Sequence, residues 1–309
     1  MRTFRFGVNS QSSEGHTWVE ACRTVEEQGY DVLLVPDHLG GDSPFGLLTA
    51  AALATSRLRL GTYVLNNEFW NPALLAREVA GLDRISGGRF ELGLGAGHMK
   101  SEFDDAGIAW RPRAERTARL ASSLDELDRR LREGGQEPQP VQRPRPPLLV
   151  GGHGVSTLTL AAERADIVAF SGLIQRPGHA HGVFGVAGVE QTLERVELVR
   201  AAAGERDHES SVLMQMVLVT DDVERTADEI RARAEQIHVH GDEPLWENPY
   251  LLMGTPEEMA RALVERRNRF GFTHVVTHGP FQDALAQVIP VVRELEHGDS
   301  PPEAKEAPK

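Results

Sequence analysis

The hydrophobic and polar positions of residues 57–97 form a complete strand, helix and strand unit. The run LRLGTYVL is apolar at most positions, as in a strand buried on both faces, and it ends at Asn66-Asn67, where turns are favoured. Pro72 then suits the first turn of a helix, and apolar residues recur at helical spacing after it. Gly87-Gly88 end the helix, and a second apolar strand follows directly.

The same alternation recurs along the chain and predicts a parallel sheet covered by helices. The predicted strands are Phe4–Asn9, Val32–Pro36, Leu58–Leu65, Phe90–Gly95, Pro147–Gly151, Ile167–Phe170, Val212–Val219 and His274–Thr277. The predicted helices are Thr17–Gln28, Ser43–Thr55, Pro72–Ile85, Arg113–Glu133, Ser156–Arg164, Val189–Ala203, Asp222–Glu235, Pro256–Phe270 and Phe281–Leu295. Eight strands, each followed by helix, favour a closed (β/α)8 TIM barrel. The alternative is a doubly wound sheet with an appended helical region, although no G-x-G-x-x-G motif follows the first strand.

Three segments interrupt this alternation, namely residues 138–147, 174–188 and 238–254. The first is rich in proline and is predicted to be a connector. The other two follow the sixth and seventh strands, so we expect insertion loops over the C-terminal mouth of the barrel. Residues 1–297 are expected to form one barrel domain, and residues 298–309 a disordered tail without a large apolar anchor.

Composition narrows the class of partner. The 309 residues carry a formal net charge of -13, which argues against nucleic acid and anionic membranes as partners. No apolar run is long enough to span a bilayer, and the N-terminus lacks a signal-peptide pattern, so we expect a cytoplasmic protein. The single cysteine, Cys22, falls in a predicted helix and is expected to be a buried structural thiol.

In a barrel of this kind, functional side chains lie where the strands end. The residues at those positions are mostly polar or glycine and include Asn9, Asp37, His38, Tyr63, Val64, Asn66, Ala96, Gly97, His98, Glu102, Gly151, Gly152, His153 and Gly154. His38 could shuttle a proton near neutral pH or be held for structural reasons. His98 could be an acid, a base, a substrate contact or a solvated residue at a helix start.

The run GGHGVST passes directly from the fifth strand into a helix. Its backbone N–H groups and the helix dipole could bind a phosphate, although a simple turn would have the same sequence. The paired histidines 179 and 181, and 238 and 240, lack the spacing of a common metal site, so no metal is expected. Neither a G-x-S-x-G elbow nor a P-loop is present.

Four segments in order resemble the bacterial luciferase-like monooxygenase superfamily. They read EEQGYDVLLVPDH, NPALLAREVAGLDRISGGRFELGLGAG, PPLLVGGHG with LAAERADIV, and MGTPEEMARAL. The resemblance covers about residues 4 to 295 and looks closest to the actinobacterial branch that depends on a deazaflavin or a flavin.

The resemblance implies a TIM barrel that binds FMN or the deazaflavin coenzyme F-420 over the barrel mouth. It implies that His38 is a ring-side proton donor or base, and that Tyr63 and Val64 form a bulge behind the ring, often with a cis peptide. Ala96 and Gly97 would contact the ring, while Gly151 and Gly152 would bind the phosphate. Arg176 offers a limited clamp for the acidic tail of F-420.

One departure from the family limits the chemistry that the resemblance implies. The sugar-phosphate dehydrogenases of this superfamily carry a glutamate general acid where this chain has His98. The first hypothesis is an oxidoreductase that moves a hydride between F-420 or a flavin and a small organic substrate, with His38 or His98 supplying a proton. The alternatives are an FMN-dependent monooxygenase that uses O2 and a non-catalytic partner subunit. A homodimer is a further expectation from the family.

Overall fold

The structure is a computed structural model that describes residues 2–11, 15–176, 178–179, 183–232 and 238–298. Its strands are β1 Arg5–Asn9, β2 Val32–Val35, β3 Arg59–Thr62, β4 Leu65–Asn66, β5 Phe90–Gly95, β6 Leu148–Gly152, β7 Ile167–Phe170, β8 Leu173–Gln175, β9 Phe184–Val186, β10 Glu209–Met214, β11 Met216–Val219, β12 Leu251–Gly254 and β13 Phe272–His278. Its α-helices are α1 Gly15–Glu27, α2 Pro44–Ala54, α3 Pro72–Ile85, α4 Lys100–Asp105, α5 Arg113–Leu131, α6 Val155–Arg164, α7 Val189–Ala203, α8 Val223–Arg231, α9 Pro256–Phe270 and α10 Gln282–Gly298. Short 3-10 helices cover Asn67–Phe69, Leu245–Glu247 and Gly279–Phe281.

The main sheet is a closed parallel barrel. Its strands follow the order β3, β2, β1, β13, β10, β7, β6 and β5, and pairing between β3 and β5 closes the ring. The short strand β4 continues β3 after a bulge and pairs with β5 as well. The predicted TIM barrel is therefore confirmed, and the alternative of an open doubly wound sheet is wrong.

The prediction of one long strand over residues 212–219 is wrong. The chain leaves the barrel at Gln215, whose backbone N–H donates to the Tyr250 carbonyl at 2.8 Å. Its side-chain amide donates to the Ser171 carbonyl, also at 2.8 Å. Strand β11 then pairs in parallel with β12 in a separate two-stranded sheet.

The segment 174–188, predicted as an insertion loop, contains regular structure. Strands β8 and β9 form an antiparallel hairpin, and Val186 is bridged to Val239 of the next insertion. Backbone hydrogen bonds of 2.7 and 2.8 Å join Val186 to His238 and His240. The predicted disordered tail lies outside the described residues, apart from Gly298 at the end of α10.

Local signals explain the element ends near the barrel mouth. The Asn71 side chain caps α3 by accepting from the N–H groups of Ala73 and Leu74. Gly87 and Gly88 have φ angles of 68° and 84°, so they provide the left-handed turn that ends this helix. The glycine stop is a feature that the sequence predicted for this helix, whereas the Asn71 cap was not predicted.

Two apolar layers stabilise the barrel. The larger packs strands against helices and includes Cys22, where burial raises the pKa of the thiol to about 12. The smaller contains inward-facing side chains of alternate strand positions, among them Val32, Leu149 and Val276. None of the described helices is long and apolar enough to cross a membrane.

Candidate active site

A cavity of about 650 Å³ opens at the carboxyl ends of the barrel strands. The residues that the sequence proposed for the site all line it: Asn9, His38, Tyr63, Val64, Asn66, Ala96, Gly97, His98, Gly151, Gly152, His153 and Gly154. The barrel thus brings together residues from five strand ends that are far apart in sequence. Their individual roles remain predictions.

His38 forms a pair with a carboxylate at one end of the cavity. Its Nδ1 lies 2.8 Å from Oε1 of Glu102, which belongs to the short helix α4. Because an ionised carboxylate only accepts hydrogen bonds, Nδ1 carries the proton and Nε2 is left for another group. The Glu102 side chain is 13% exposed and that of His38 34% exposed. Glu102 was among the strand-end residues, but its contact with His38 could not be predicted from the sequence.

His98 lies beside this pair. Its ring is 5.8 Å from that of His38, and the two rings meet edge to face. Burial and the neighbouring His38 lower the pKa of His98. An uncharged imidazole at this place can donate or accept a hydrogen bond.

The bulge between β3 and β4 forms the floor of the cavity. The Tyr63-Val64 peptide bond is cis, a geometry that is frequent at this bulge in the family that the sequence resembles, but which the sequence alone could not settle. Val64 lies against Gly95 and Gly151, where an added Cβ would approach its methyl groups to 2.7 and 3.2 Å. At Gly93 a Cβ would collide with the Thr62 carbonyl oxygen. The glycines of the GLGAG run therefore leave space for the bulge, and this explains why these positions carry no side chain.

Asp37 fixes the chain just beyond the bulge. Its Oδ2 accepts from the Asn66 N–H at 3.1 Å and from the Trp70 ring N–H at 2.9 Å. Burial raises the pKa of Asp37, and these two hydrogen bonds act in the opposite direction. Trp70 thus supports the cavity wall through Asp37.

The opposite end of the cavity is suited to an anion. Residues Gly152 to Gly154 lead directly into α6, so backbone N–H groups and the positive end of the helix dipole are near the cavity. Arg113, the first residue of α5, lies over this turn, since a Cβ on Gly154 would be 2.8 Å from its Nη1. Among the described residues Arg113 has no ion pair. The sequence had suggested Arg176 as a clamp, but Arg176 is not a lining residue of this cavity.

Two further arginines hold the loops around the cavity. Arg116 lies with its guanidinium carbon 3.7 Å from the Trp110 ring centroid and donates to the Ala96 carbonyl at 3.0 Å. Arg111 donates to the buried carboxylate of Glu68 at 3.0 Å. Both arginines are therefore engaged, and sequence reasoning missed them because they follow no predicted strand.

The hairpin of β8 and β9 covers part of the mouth. Phe184 on β9 lies with its ring centroid 5.8 Å from that of His98 and 5.2 Å from that of His153. Burial lowers the pKa of His153 to about 4, and the positive charge of the nearby Arg113 makes a smaller contribution in the same direction. Nδ1 of His153 is also 3.4 Å from the Ser171 hydroxyl.

A phosphorylated ring cofactor fits these observations. The cavity has the volume of a cofactor site, and one end offers backbone N–H groups beside a cation. Asn9 Oδ1 is buried in the cavity wall without a hydrogen-bond partner among the described residues, so it can accept from a ring N–H. Within the described part of the chain, no three His, Cys, Asp or Glu side chains lie together as a metal site requires.

A parallel eight-stranded barrel with a cavity at the carboxyl-terminal ends of its strands defines the class: this is a TIM-barrel protein with a candidate ligand site where such barrels carry their active sites. The sequence model of the luciferase-like monooxygenase family matches residues 2–274, and the chain belongs to this family.

Relatives of known name are similar in sequence to this chain over different lengths. A 5,10-methylenetetrahydromethanopterin reductase of Methanolobus tindarius is 31% identical over 153 residues, which is 47% of each chain. The chain thus spans about half of the length of that relative. An F-420-dependent glucose-6-phosphate dehydrogenase of Nakamurella multipartita is 29% identical over 94% of this chain and 97% of the relative. In fold, the F-420-dependent tetrahydromethanopterin reductase of Methanopyrus kandleri superimposes with a TM-score of 0.72 at 19% identity, over 95% of this chain and 99% of that one.

Proposed function

We propose that this protein is an F-420-dependent oxidoreductase that transfers a hydride between the deazaflavin and a small organic substrate. Membership of the luciferase-like family and the similarity over nearly the full length to an F-420-dependent dehydrogenase support the class of cofactor. The observation that carries the proposal is the His38–Glu102 pair at 2.8 Å in the cavity wall, because hydride transfer to or from oxygenated carbon needs a matching proton transfer.

The residues that line the cavity suit the different parts of the cofactor. The Gly151 to Gly154 turn and Arg113 would bind the phosphate, where N–H donors and a cation converge. Val64 on the bulge would support the ring from behind. The remaining ring contacts would come from Asn9, Tyr63, Asn66, Ala96 and Gly97.

When it is bound, F-420 supplies a carbon centre that accepts or donates a hydride. In the oxidative direction the substrate carbon loses a hydride, which carries two electrons, and its hydroxyl loses a proton to Nε2 of His38. The carboxylate of Glu102 stabilises the resulting imidazolium and keeps the proton on Nδ1. In the reductive direction Nε2 returns the proton to the carbonyl oxygen.

FMN is the alternative cofactor. The family name includes monooxygenases, and the same anion end and bulge suit a flavin phosphate. With reduced FMN, O2 would be the co-substrate: the flavin would supply two electrons, one oxygen atom would enter the substrate and the other would leave as water. A non-catalytic subunit is the least favoured alternative, because the cavity keeps its polar lining.

A paired titration distinguishes these functions. Purified protein is titrated with F-420 and with FMN, and fluorescence and the thermal midpoint are followed, since a ligand of the native state raises that midpoint. Tight binding of F-420 alone supports the proposal. Tight binding of FMN alone with substrate-dependent oxygen uptake would replace it with the monooxygenase, and binding of neither would support the non-catalytic subunit.

We also propose that the protein is a homodimer through the outer faces of α2 and α3, which pack side by side. Leu53 is 77% exposed, and Leu74 and Ile85 are more than half exposed, although they are large apolar residues. The face carries Arg77 and Glu78 as an adjacent pair, so it lacks the strong negative charge of the whole chain and can meet a second copy.

The test of this interface is the mass in solution. The Leu53→Glu, Leu74→Glu double variant should be monomeric by light scattering, because two buried carboxylates would face each other across a two-fold axis. Leu53→Gln with Leu74→Gln serves as the uncharged control. A wild-type monomer would refute the dimer.

We further propose that the protein is located in the cytoplasm, where reduced coenzymes are regenerated.

A further inference from the structure

We propose that Arg116 is a positioning residue for proton transfer, because it fixes the turn after β5 from which His98 and the short helix α4 follow. Through α4 it acts on Glu102, the hydrogen-bond partner of His38. The inference deepens the proposed function and rests on it for turnover. The coupling between Arg116 and the His38–Glu102 pair is a property of the protein alone, so it can be measured without a cofactor.

Arg116 binds the turn after β5 on both sides of Gly97. Its Nε donates to the Ala96 carbonyl at 3.0 Å, and its Nη2 donates to the Gly97 carbonyl at 3.4 Å. Its Nη1 donates to the carbonyl of Arg111, in the loop that precedes α5. The guanidinium group is planar and has N–H donors in fixed directions, so it can hold three carbonyl groups of two loops at once. A lysine has a single donor nitrogen and cannot bridge the same three groups.

The turn at Gly97 is closely packed on two sides. Its φ angle of 74° lies in the left-handed region that favours glycine. A Cβ at this position would lie 2.5 Å from Oδ1 of Asn66 on β4 and 2.7 Å from Cζ of Phe103 on α4. Because the turn is in contact with both elements, release of its carbonyl groups should shift α4 relative to β4.

Helix α4 also packs directly against the surroundings of Arg116. Phe103, the residue after Glu102, is fully buried, and its ring centroid lies 4.8 Å from that of Trp110. The guanidinium carbon of Arg116 is 3.7 Å from the Trp110 centroid and 5.8 Å from the Phe103 centroid. Arg116 and these two rings therefore hold one side of α4, while Glu102 on the same helix reaches His38.

The charge of Arg116 indicates that its role is more than packing. The side chain is 5% exposed, and no described carboxylate forms a salt bridge with it, since Glu68 is shared by Arg111 and Arg119. Burial lowers the pKa of Arg116, and the charge of Arg113 acts in the same direction. Burial of a charge without an opposite charge costs free energy, so an apolar side chain would serve a simple packing contact better. The bonds to the three carbonyl groups compensate this cost and are what arginine provides here.

The first test uses the free protein, without cofactor or substrate. The nitrogen chemical shifts of the His38 ring, measured by NMR at alkaline pH, report which nitrogen carries the proton. We expect the wild type to hold the proton on Nδ1, and Arg116→Lys to show a mixture of both tautomers, because Glu102 moves away from the ring. Arg119→Lys is the matched control. Arg119 lies one turn further along α5, is 52% exposed and pairs with Glu68, so its variant should keep the wild-type tautomer.

The second test measures turnover. Arg116→Lys keeps the charge but loses the planar group, and we expect kcat to fall by about tenfold, since a small displacement of a catalytic group is enough for such a loss. Arg119→Lys should change kcat little. Arg116→Ala should lose more activity than the lysine variant, and millimolar guanidinium chloride should restore part of it. Ammonium chloride supplies a charge without the planar donors and should not restore it.

Several results would overturn the inference. These are a wild-type tautomer in Arg116→Lys, an equal effect in Arg119→Lys, and recovery of Arg116→Ala by ammonium as well as by guanidinium. If Arg116→Ala does not fold, as judged by circular dichroism, the two lysine variants still decide. A changed tautomer in Arg116→Lys, together with a wild type that binds neither F-420 nor FMN, would support the coupling and refute the proposed function.

Discussion

One end of the cavity carries His38 paired with Glu102, whereas the other carries the N–H groups of the Gly152–Gly154 turn beside Arg113. The first end has side chains that can exchange a proton, and each is held by a partner. The second end has fixed donors and a cation without a partner among the described residues. The difference separates proton transfer from anchoring of the cofactor, so a change at one end should leave the function of the other intact.

The largest effect is expected from His38→Ala. Loss of the group that exchanges the proton should lower kcat by about 100-fold to 10,000-fold, while the Kd of the cofactor changes little. His38→Asn is the matched control, because its amide can still donate to Glu102 but cannot carry a proton. Steady-state kinetics and a cofactor titration measure the two effects. An unchanged kcat in either variant would remove His38 from the mechanism.

A smaller effect is expected from Glu102→Gln. The amide keeps a hydrogen-bond acceptor for Nδ1 of His38 but removes the charge that stabilises the imidazolium, so kcat should fall by about tenfold to 100-fold. KM should change little, and Glu102→Asp should retain more activity than the amide. Nitrogen NMR of the His38 ring reports whether Nδ1 keeps its proton. Equal kcat values for wild type and amide would show that Glu102 has only a structural role.

At the anion end, Arg113→Gln should weaken cofactor binding by about tenfold, which corresponds to about 1.4 kcal/mol, with kcat at saturation unchanged. Arg113→Lys should recover part of the affinity because it restores the charge. Titrations at two salt concentrations are informative, since the wild type should be more sensitive to salt than the amide variant. A fall in kcat at saturating cofactor would show that the two ends are not separate.

The last prediction concerns stability and not activity. The folded-state pKa of His153, about 4, lies below the ordinary value of 6.5, so the unfolded chain binds more protons between these values. This neutral histidine therefore contributes to a loss of stability as pH falls from about 6.5 to 4, on the order of 1 to 3 kcal/mol. His153→Gln, which cannot titrate, should lose less stability over this range in urea unfolding. Parallel pH profiles would contradict the assigned burial.

Much of the barrel could be predicted from the sequence. The strand–helix–strand unit of residues 57–97 could be predicted because an apolar strand, a helix that begins at a proline and a pair of glycines that end the helix follow one another in the sequence. The strand ends then placed His38 and Gly152 at one mouth, since parallel strands share the same carboxyl-terminal edge. The seventh barrel strand was misread, because an apolar run on both sides of Gln215 gives no sign of where the chain leaves the barrel.

The missed parts of the site depend on contacts between distant residues. Glu102 lies 64 positions from His38, and its significance comes from a hydrogen bond that periodicity does not reveal. Arg113 lies over Gly154 only because α5 begins beside the turn that leads into α6. The hairpin was not predicted, because its strands have three residues each and the Gly- and His-rich connection resembles a loop.

The measurement that tests the central claim most directly is a transfer of label. Reduced F-420 that carries deuterium at the transferring carbon is incubated anaerobically with the protein and a panel of small aldehydes and ketones, and the alcohol product is analysed by mass spectrometry. Hydride transfer predicts one deuterium on the product carbon in the wild type and a strongly reduced yield with His38→Asn. An alcohol without deuterium, or a product that forms only with FMN and O2, would contradict the account.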